Sequence, residues 1–234
     1  MAAMGTGDNT FISAIRMKMA AATPVTPAAS RSNIGTKPAL ARPLRTNNKV
    51  VGIASSTGGT DALEKILSRL NSDCPPILIV QHMPSGFTKL FADRLNGTYP
   101  MEIREAQTGD AVRPGLVLIA PANFHMTVVY RAGKLVTICQ AGTRLHGVMP
   151  AADLLFDSMA EVLRAQCVGV VLTGMGTDGA KGLLRMRLAG AQTIAQDKET
   201  SVVYGMPKAA KDLGAVDFEL PIQQIGEKII ALTM

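Results

Sequence analysis

Ser56, His82 and Asp178 supply a hydroxyl, an imidazole and a carboxylate, the three groups that together perform acyl transfer through a covalent serine intermediate. Each follows an apolar run. Val50-Val51-Gly52-Ile53-Ala54 leads into Ser55-Ser56-Thr57-Gly58-Gly59, Ile77-Leu78-Ile79-Val80 into Gln81-His82-Met83-Pro84, and Val168-Gly169-Val170-Val171-Leu172 into Thr173-Gly174-Met175-Gly176-Thr177-Asp178-Gly179. In that chemistry the serine oxygen attacks an acyl carbon and the histidine takes its proton. The carboxylate holds the imidazole tautomer and stabilises the imidazolium. Gly58 and Gly59 let the chain turn sharply after Ser56, next to backbone N–H groups at a helix start that can stabilise an oxyanion.

Each residue also has a plainer reading. Ser55, Ser56 or Thr57 can cap the helix that follows, and Asp178 can cap a helix beginning at Ala180. The other histidines are His125, after Ala120-Pro121-Ala122-Asn123-Phe124, and His146, in a polar loop. His125 is the stronger rival to His82 for the base. A second chemistry is also open. Gly174–Gly179 matches G-x-G-x-x-G between a strand and a helix, and Asp197 falls where a dinucleotide fold places its ribose acid. Against it, Asp178 would set a negative charge inside a turn meant for a pyrophosphate. The motif also begins too late for the second half of such a fold.

These loops can meet only if parallel strands gather their carboxyl ends along one sheet edge, where ligands of open α/β sheets bind. From Lys49 onward the pattern repeats strand, loop, helix. Leu63, Ile66, Leu67 and Leu70 form one helical stripe, Phe87, Leu90, Phe91 and Leu95 a second, and Leu155, Phe156, Met159 and Leu163 a third. Further helices are predicted over Ala180–Leu188 and Ile222–Leu232, with a strand over Ala191–Gln196. Thr127–Tyr130 and Leu135–Cys139 flank Arg131-Ala132-Gly133-Lys134 as an antiparallel hairpin. The expected fold is α/β, a mainly parallel doubly wound sheet covered on both faces.

Charge and composition narrow the function. Most of the net charge of +6 sits in residues 1–48, which carry six basic side chains and one acid. Residues 49–234 hold 18 basic and 17 acidic side chains, so no nucleic-acid footprint is expected on them. Residues 1–48, with Pro24, Pro27, Pro38 and Pro43, read as a basic linker or tail, and residues 49–234 as the catalytic domain. No apolar stretch is long enough to cross a bilayer. Cys74, Cys139 and Cys167 are widely spaced, indicate neither a disulfide frame nor a zinc site, and suit a reducing cytoplasm.

Ser56-Thr57-Gly58-Gly59, Gln81–Thr88, Ile119-Ala120-Pro121, Leu172–Gly179 and Tyr204-Gly205-Met206-Pro207 together resemble the catalytic domain of the chemotaxis protein-glutamate methylesterase family, from about Val50 to Leu232. The resemblance implies a three-layer sandwich with Ser56 as nucleophile, His82 as base and Asp178 as its orienting carboxylate. It also implies oxyanion or substrate contacts at Thr57 and the Met175 loop. The substrates it implies are γ-glutamyl methyl esters of methyl-accepting chemotaxis receptors, with deamidation of receptor glutamines by the same chemistry and no metal or organic cofactor. Family members often carry an N-terminal receiver domain. Residues 1–48 do not resemble one but resemble the linker that would follow one, so a separate receiver is an expected partner. Three positions depart from the pattern: Met149 and Ala151 replace a usual arginine and serine, and Ala54 a frequent glycine. The Met149 and Ala151 changes keep open a receptor-binding module that has lost turnover.

Overall fold

A computed structural model describes residues 49–233. The tail expected over residues 1–48 lies outside the described residues. Within them, seven strands form one parallel sheet: β1 (Val50–Ser55), β2 (Ile77–Gln81), β3 (Glu102–Glu105), β4 (Leu116–Ile119), β7 (Cys167–Val171), β8 (Gln192–Gln196) and β9 (Phe218–Leu220), in the order β3-β4-β2-β1-β7-β8-β9. The remaining two, β5 (His125–Arg131) and β6 (Lys134–Gln140), pair antiparallel. Helices α1 (Gly59–Leu67), α2 (Phe87–Thr98), α3 (Ala152–Leu163), α4 (Ala180–Leu188), α5 (Met206–Asp212) and α6 (Ile222–Thr233) cover the sheet.

The central strands are apolar on both faces because both faces are covered. Val50 and Ala54 of β1, Leu78 and Val80 of β2, and Leu116 and Leu118 of β4 enter one core with Leu155, Phe156 and Met159 of α3, Leu183 of α4 and Met126 of β5. The alternate residues Val51, Ile53, Ile77, Ile79, Val117 and Ile119 enter the other, with Leu63 and Ile66 of α1, Phe91 and Leu95 of α2, and Ile225 and Ile229 of α6. This period of two is what a strand must show when each face has its own layer. The three-layer, doubly wound expectation holds, the antiparallel hairpin included.

Some boundaries differ from expectation. Ser55 belongs to β1, so the serine loop starts one residue later. In α2 the buried face is Thr88, Phe91, Ala92 and Leu95, while Phe87 and Leu90 of the predicted stripe are exposed. Leu70 is buried but lies beyond the end of α1. The hairpin extends further than predicted, and its two turn residues, Ala132 and Gly133, both have positive φ, the backbone a right-handed ribbon needs in a two-residue turn.

β1 is the strand from which the chain winds outward in both directions. Its neighbours are β2 and β7, in register from Val51↔Ile77 and Val50↔Cys167 onward. The loops after β1, β2 and β7 are therefore adjacent at one edge. This position is the topological switch point, where a crevice opens between loops that diverge to opposite faces.

Candidate active site

At that edge the backbone itself joins the three loops. The Ser56 N–H donates to the Thr173 carbonyl at 3.0 Å, and the His82 N–H donates to the Ser55 carbonyl at 3.0 Å. Gly174 presses directly on the serine: a β-carbon there would stand 2.7 Å from Ser56 Cβ and 2.4 Å from Met206 Sδ. The Gly174 carbonyl accepts from Met206 N–H at 2.8 Å and Gly205 N–H at 3.2 Å, which fastens the aspartate loop to the Tyr204–Pro207 segment. Tyr204 Oη donates in turn to Glu219 beyond α5. Burial first, and this bond second, push the phenol well above its ordinary range.

His82 Nε2 lies 2.8 Å from Asp178 Oδ2. His82 is half-buried and Asp178 is buried. The carboxylate has two further donors, the Ala152 N–H at 2.7 Å to Oδ2 and the Asp153 N–H at 3.1 Å to Oδ1. Both come from the first turn of α3, whose N-terminal dipole and unpaired N–H groups favour an anion. Asp178 therefore does not cap the helix that follows it. The residue before α4 is Gly179, in a left-handed conformation and with no side-chain cap. Asp178 instead caps a helix that starts 26 residues earlier, and Ala151 at the head of α3 offers no side chain to compete. The expected departure at Ala151 is buried, and its own N–H donates to His125.

The capping alternative for the serine loop is likewise not what forms. Gly58 precedes α1 in a left-handed conformation, and no side chain caps the helix. Among the described residues the Ser56 hydroxyl takes part in no hydrogen bond, nor do the Thr57 and Met175 backbone N–H groups, and Ser56 is only half-buried. Thr57 contributes its carbonyl to Thr173 Oγ1 at 2.9 Å. The Met175 side chain is 76% exposed at the rim. Expected residues Ser56, Thr57, His82, Met175 and Asp178 thus share one edge, and the one side-chain bond among them is His82–Asp178.

The rival histidine is accounted for differently. His125 is buried, accepts the Ala151 N–H at Nδ1 (3.2 Å) and lies 2.8 Å from the Thr143 carbonyl at Nε2, so both ring nitrogens are occupied. His146 Nε2 lies 2.8 Å from Asp153 Oδ2. Asp197, the residue expected to hold a ribose, closes a local turn: its Oδ1 accepts from Thr200 N–H and Oγ1. His146, Asp153 and Asp178 offer ligand atoms all within 4.8 Å of one another. Their oxygens, however, already accept from the N–H groups of Ala152, Asp153 and Gly182 and face His82 and His146, which is a hydrogen-bond network in full use.

The residue the sequence analysis passed over is Gln81. It is 3% exposed, and its amide laces two loops together. Oε1 accepts the buried Ser55 hydroxyl at 2.7 Å, while Nε2 donates to the Ser56 and His82 carbonyls, each at 3.0 Å. A β-carbon at Gly59 would sit 2.2 Å from Oε1, so the glycine that opens α1 makes room for this amide. Its only signal in the sequence is an amide closing an apolar run beside a histidine.

Comparison with known proteins agrees with this architecture. The family model described as CheB methylesterase matches residues 51–229. A protein-glutamate methylesterase/protein-glutamine glutaminase of Bdellovibrio bacteriovorus is 51% identical over 186 residues, 80% of this chain and 52% of that protein. One from Syntrophomonas wolfei is 49% identical over 183 residues, 78% of this chain and 54% of that protein. The chain thus spans about half the length of these curated relatives. The crystal structure of the Thermotoga maritima CheB methylesterase catalytic domain superposes with a TM-score of 0.77 at 43% identity, covering 79% of this chain and 98% of that one. Matched along nearly all of its described residues, in sequence and in fold, the chain belongs to the CheB methylesterase family.

Proposed function

We propose that this chain is a serine carboxylic ester hydrolase that removes methyl groups from γ-glutamyl methyl esters of methyl-accepting chemotaxis receptors, and that the same chemistry deamidates receptor glutamines. The observation that carries the reading is the imidazole–carboxylate pair of His82 and Asp178, on loops that backbone hydrogen bonds join to the loop of Ser56, in a chain whose relatives bear those activities in their names.

With Nε2 turned to Asp178, Nδ1 is the nitrogen left to take the serine proton. Ser56 Oγ bonds to the ester carbonyl carbon as its proton moves to His82 Nδ1. Asp178, held by the start of α3, stabilises the imidazolium. The Thr57 and Met175 N–H groups point to an oxyanion role, since each lacks an acceptor among the described residues. Collapse breaks the carbon–OMe bond, and methanol leaves with the His82 proton. Water then attacks the acyl-enzyme, giving up its proton to His82, and the serine leaves with a proton returned. For an amide substrate the leaving group is ammonia.

No step calls on a metal or organic cofactor. Among the described residues no helix is long and apolar enough to cross a membrane. A cytoplasmic location, and control by a separate receiver domain, belong to this same reading. The test is methanol release from methylated receptor membranes. Ser56→Ala is expected to lose at least about 1,000-fold in kcat, the scale on which triads fail when one member is removed. Release at the parent rate would refute the assignment. A module that only binds receptors would bind them without being labelled by a fluorophosphonate at Ser56.

A further inference from the structure

Behind the His82–Asp178 pair lies a second one that the reaction as written does not use. Asp153 is 2% exposed, in the first turn of α3. Its Oδ1 accepts the Gly182 N–H at 2.7 Å, and its Oδ2 faces His146 Nε2 at 2.8 Å. Its own N–H is one of the two backbone donors to Asp178. Two buried carboxylates consequently stand within 4.8 Å of each other. Neighbouring anions out of water repel strongly, and the arrangement persists only if each is well supplied with donors. Gly182 gives Asp153 one. The other is the imidazole of His146.

A tight turn carries this imidazole to Asp153. His146 has φ 53° and Gly147 φ 78°, and Leu145 and Val148 exchange both backbone hydrogen bonds across them. This is a tight two-residue turn with a histidine, not a glycine or asparagine, in the left-handed region. Ala132-Gly133 makes the same kind of turn between β5 and β6, and histidine is among the residues that enter the left-handed region most readily. The turn's effect is to bring Nε2 onto Asp153 from the solvent side, with the imidazole still 27% exposed.

We propose that His146 and Asp153 are positioning residues for the esterase reaction: the His146 N–H fixes the Asp153 carboxylate, and Asp153 in turn fixes the α3 N–H pair that holds Asp178 against His82. Neither residue touches the reacting atoms. The inference rests on the Ser56–His82–Asp178 reading above and extends it inward by one layer. Groups that orient a ligand or base from behind commonly change activity by 10- to 100-fold when removed.

The experiment compares purified parent, His146→Leu, His146→Asn and His146→Gln in methanol release from methylated receptor membranes, with Ser56→Ala alongside. Leucine removes the donor. Asparagine tolerates the left-handed backbone but is too short to reach Asp153, which guards against a variant lost to misfolding. Glutamine presents an N–H at about the reach of Nε2. The expected result is a kcat about 10-fold lower for His146→Leu and His146→Asn with KM within about twofold, and recovery to within about threefold for His146→Gln. The downfield proton of the His82–Asp178 hydrogen bond should shift in the first two variants and return in the third. Parent-like kcat in both deficient variants, with only thermal stability reduced, would overturn the proposal, as would failure of glutamine to restore the rate. Ser56→Ala separates the two levels. If it keeps the parent rate, the triad reading itself has failed; if it is inactive while His146→Leu and His146→Asn turn over normally, only the positioning role falls.

Discussion

Replacing Gln81 with leucine keeps the side-chain bulk and removes one acceptor and one doubly used donor. The consequences can be followed atom by atom. The Ser55 hydroxyl, fully buried, loses the only acceptor it has among the described residues. The His82 carbonyl loses the Gln81 amide. The Ser56 carbonyl keeps the Gly59 N–H at 2.8 Å and is not orphaned. An unsatisfied buried polar group costs about 1–3 kcal/mol, and the His82 carbonyl, at a half-buried position, recovers part of its loss from water. The total comes to about 2–4 kcal/mol. With no tryptophan in the chain, unfolding in urea is best followed by the helical circular dichroism signal. A double-mutant cycle sharpens the test. Ser55→Ala alone strands Gln81 Oε1, but in the Ser55→Ala background Gln81→Leu no longer leaves a hydroxyl unpaired. It should then cost at least about 1 kcal/mol less than in the parent, the size of coupling expected for residues in direct contact. Turnover should fall in both Gln81→Leu proteins, because the serine and histidine loops lose their common tether either way. A Gln81→Leu cost below about 0.5 kcal/mol, or strict additivity with Ser55→Ala, would show that the amide is not what holds these loops.

Gly174→Ala should leave a folded protein with kcat reduced about 100-fold, since the new methyl must displace Ser56 or Met206 and a misplacement near 1 Å costs that much; activity within twofold of the parent would mean the loops give way freely. The three thiols supply a pH signature. Burial pushes Cys74 up to about 11 and Cys139 and Cys167 up to about 12, from an ordinary value of 9.0. Below pH 9 folded and unfolded chains both keep these protons. Between about pH 9 and 11–12 the unfolded chain releases protons the native one retains, so stability falls as pH rises, by at most about 1.4 kcal/mol per pH unit per thiol. Urea midpoints at pH 8 and pH 10 measure it, and a Cys167→Ala variant should show the shallower decline.

What could be read from the sequence was set by burial. β1, β2 and β7 are covered on both faces and appear as unbroken apolar runs of the right length, so the three loops at their ends could be found without coordinates. β3 and β9 lie at the two edges of the sheet, are short, and carry Glu102, Arg104, Glu105 and Glu219, so nothing in their residues distinguishes them from loop. α2 misled in a different way. Phe87 and Leu90 complete an apolar stripe but face outward, and Thr88 and Ala92 take the buried positions instead. Periodicity reports which residues are apolar and not which way the helix has turned. Ser56, His82 and Asp178, proposed above as nucleophile, base and carboxylate, could be singled out because their loops follow readable strands. Gln81, the Ala152 and Asp153 N–H groups and His146 were not, because each acts through a contact that only the fold creates.

Asp178 shows why such contacts matter more than the residues at their ends. A glycine-rich turn followed by a helix suggests that an aspartate inside it will cap that helix, and the local rule is sound. Here Gly179 takes the left-handed position before α4, and Asp178 is turned toward the start of a different helix. α3 has an alanine where its own cap would stand, so its first N–H groups are open, and the carboxylate that satisfies them is the one bonded to His82. One interaction therefore serves two ends. The helix start gains the anion its dipole favours, and the anion gains a fixed position beside the imidazole. Any change that loosens the head of α3, however far from Ser56, must then loosen His82, the proposed base. On the proposed triad, stability and turnover should move together for substitutions along Ala151–Asp153 while staying independent for substitutions on the exposed face of α2.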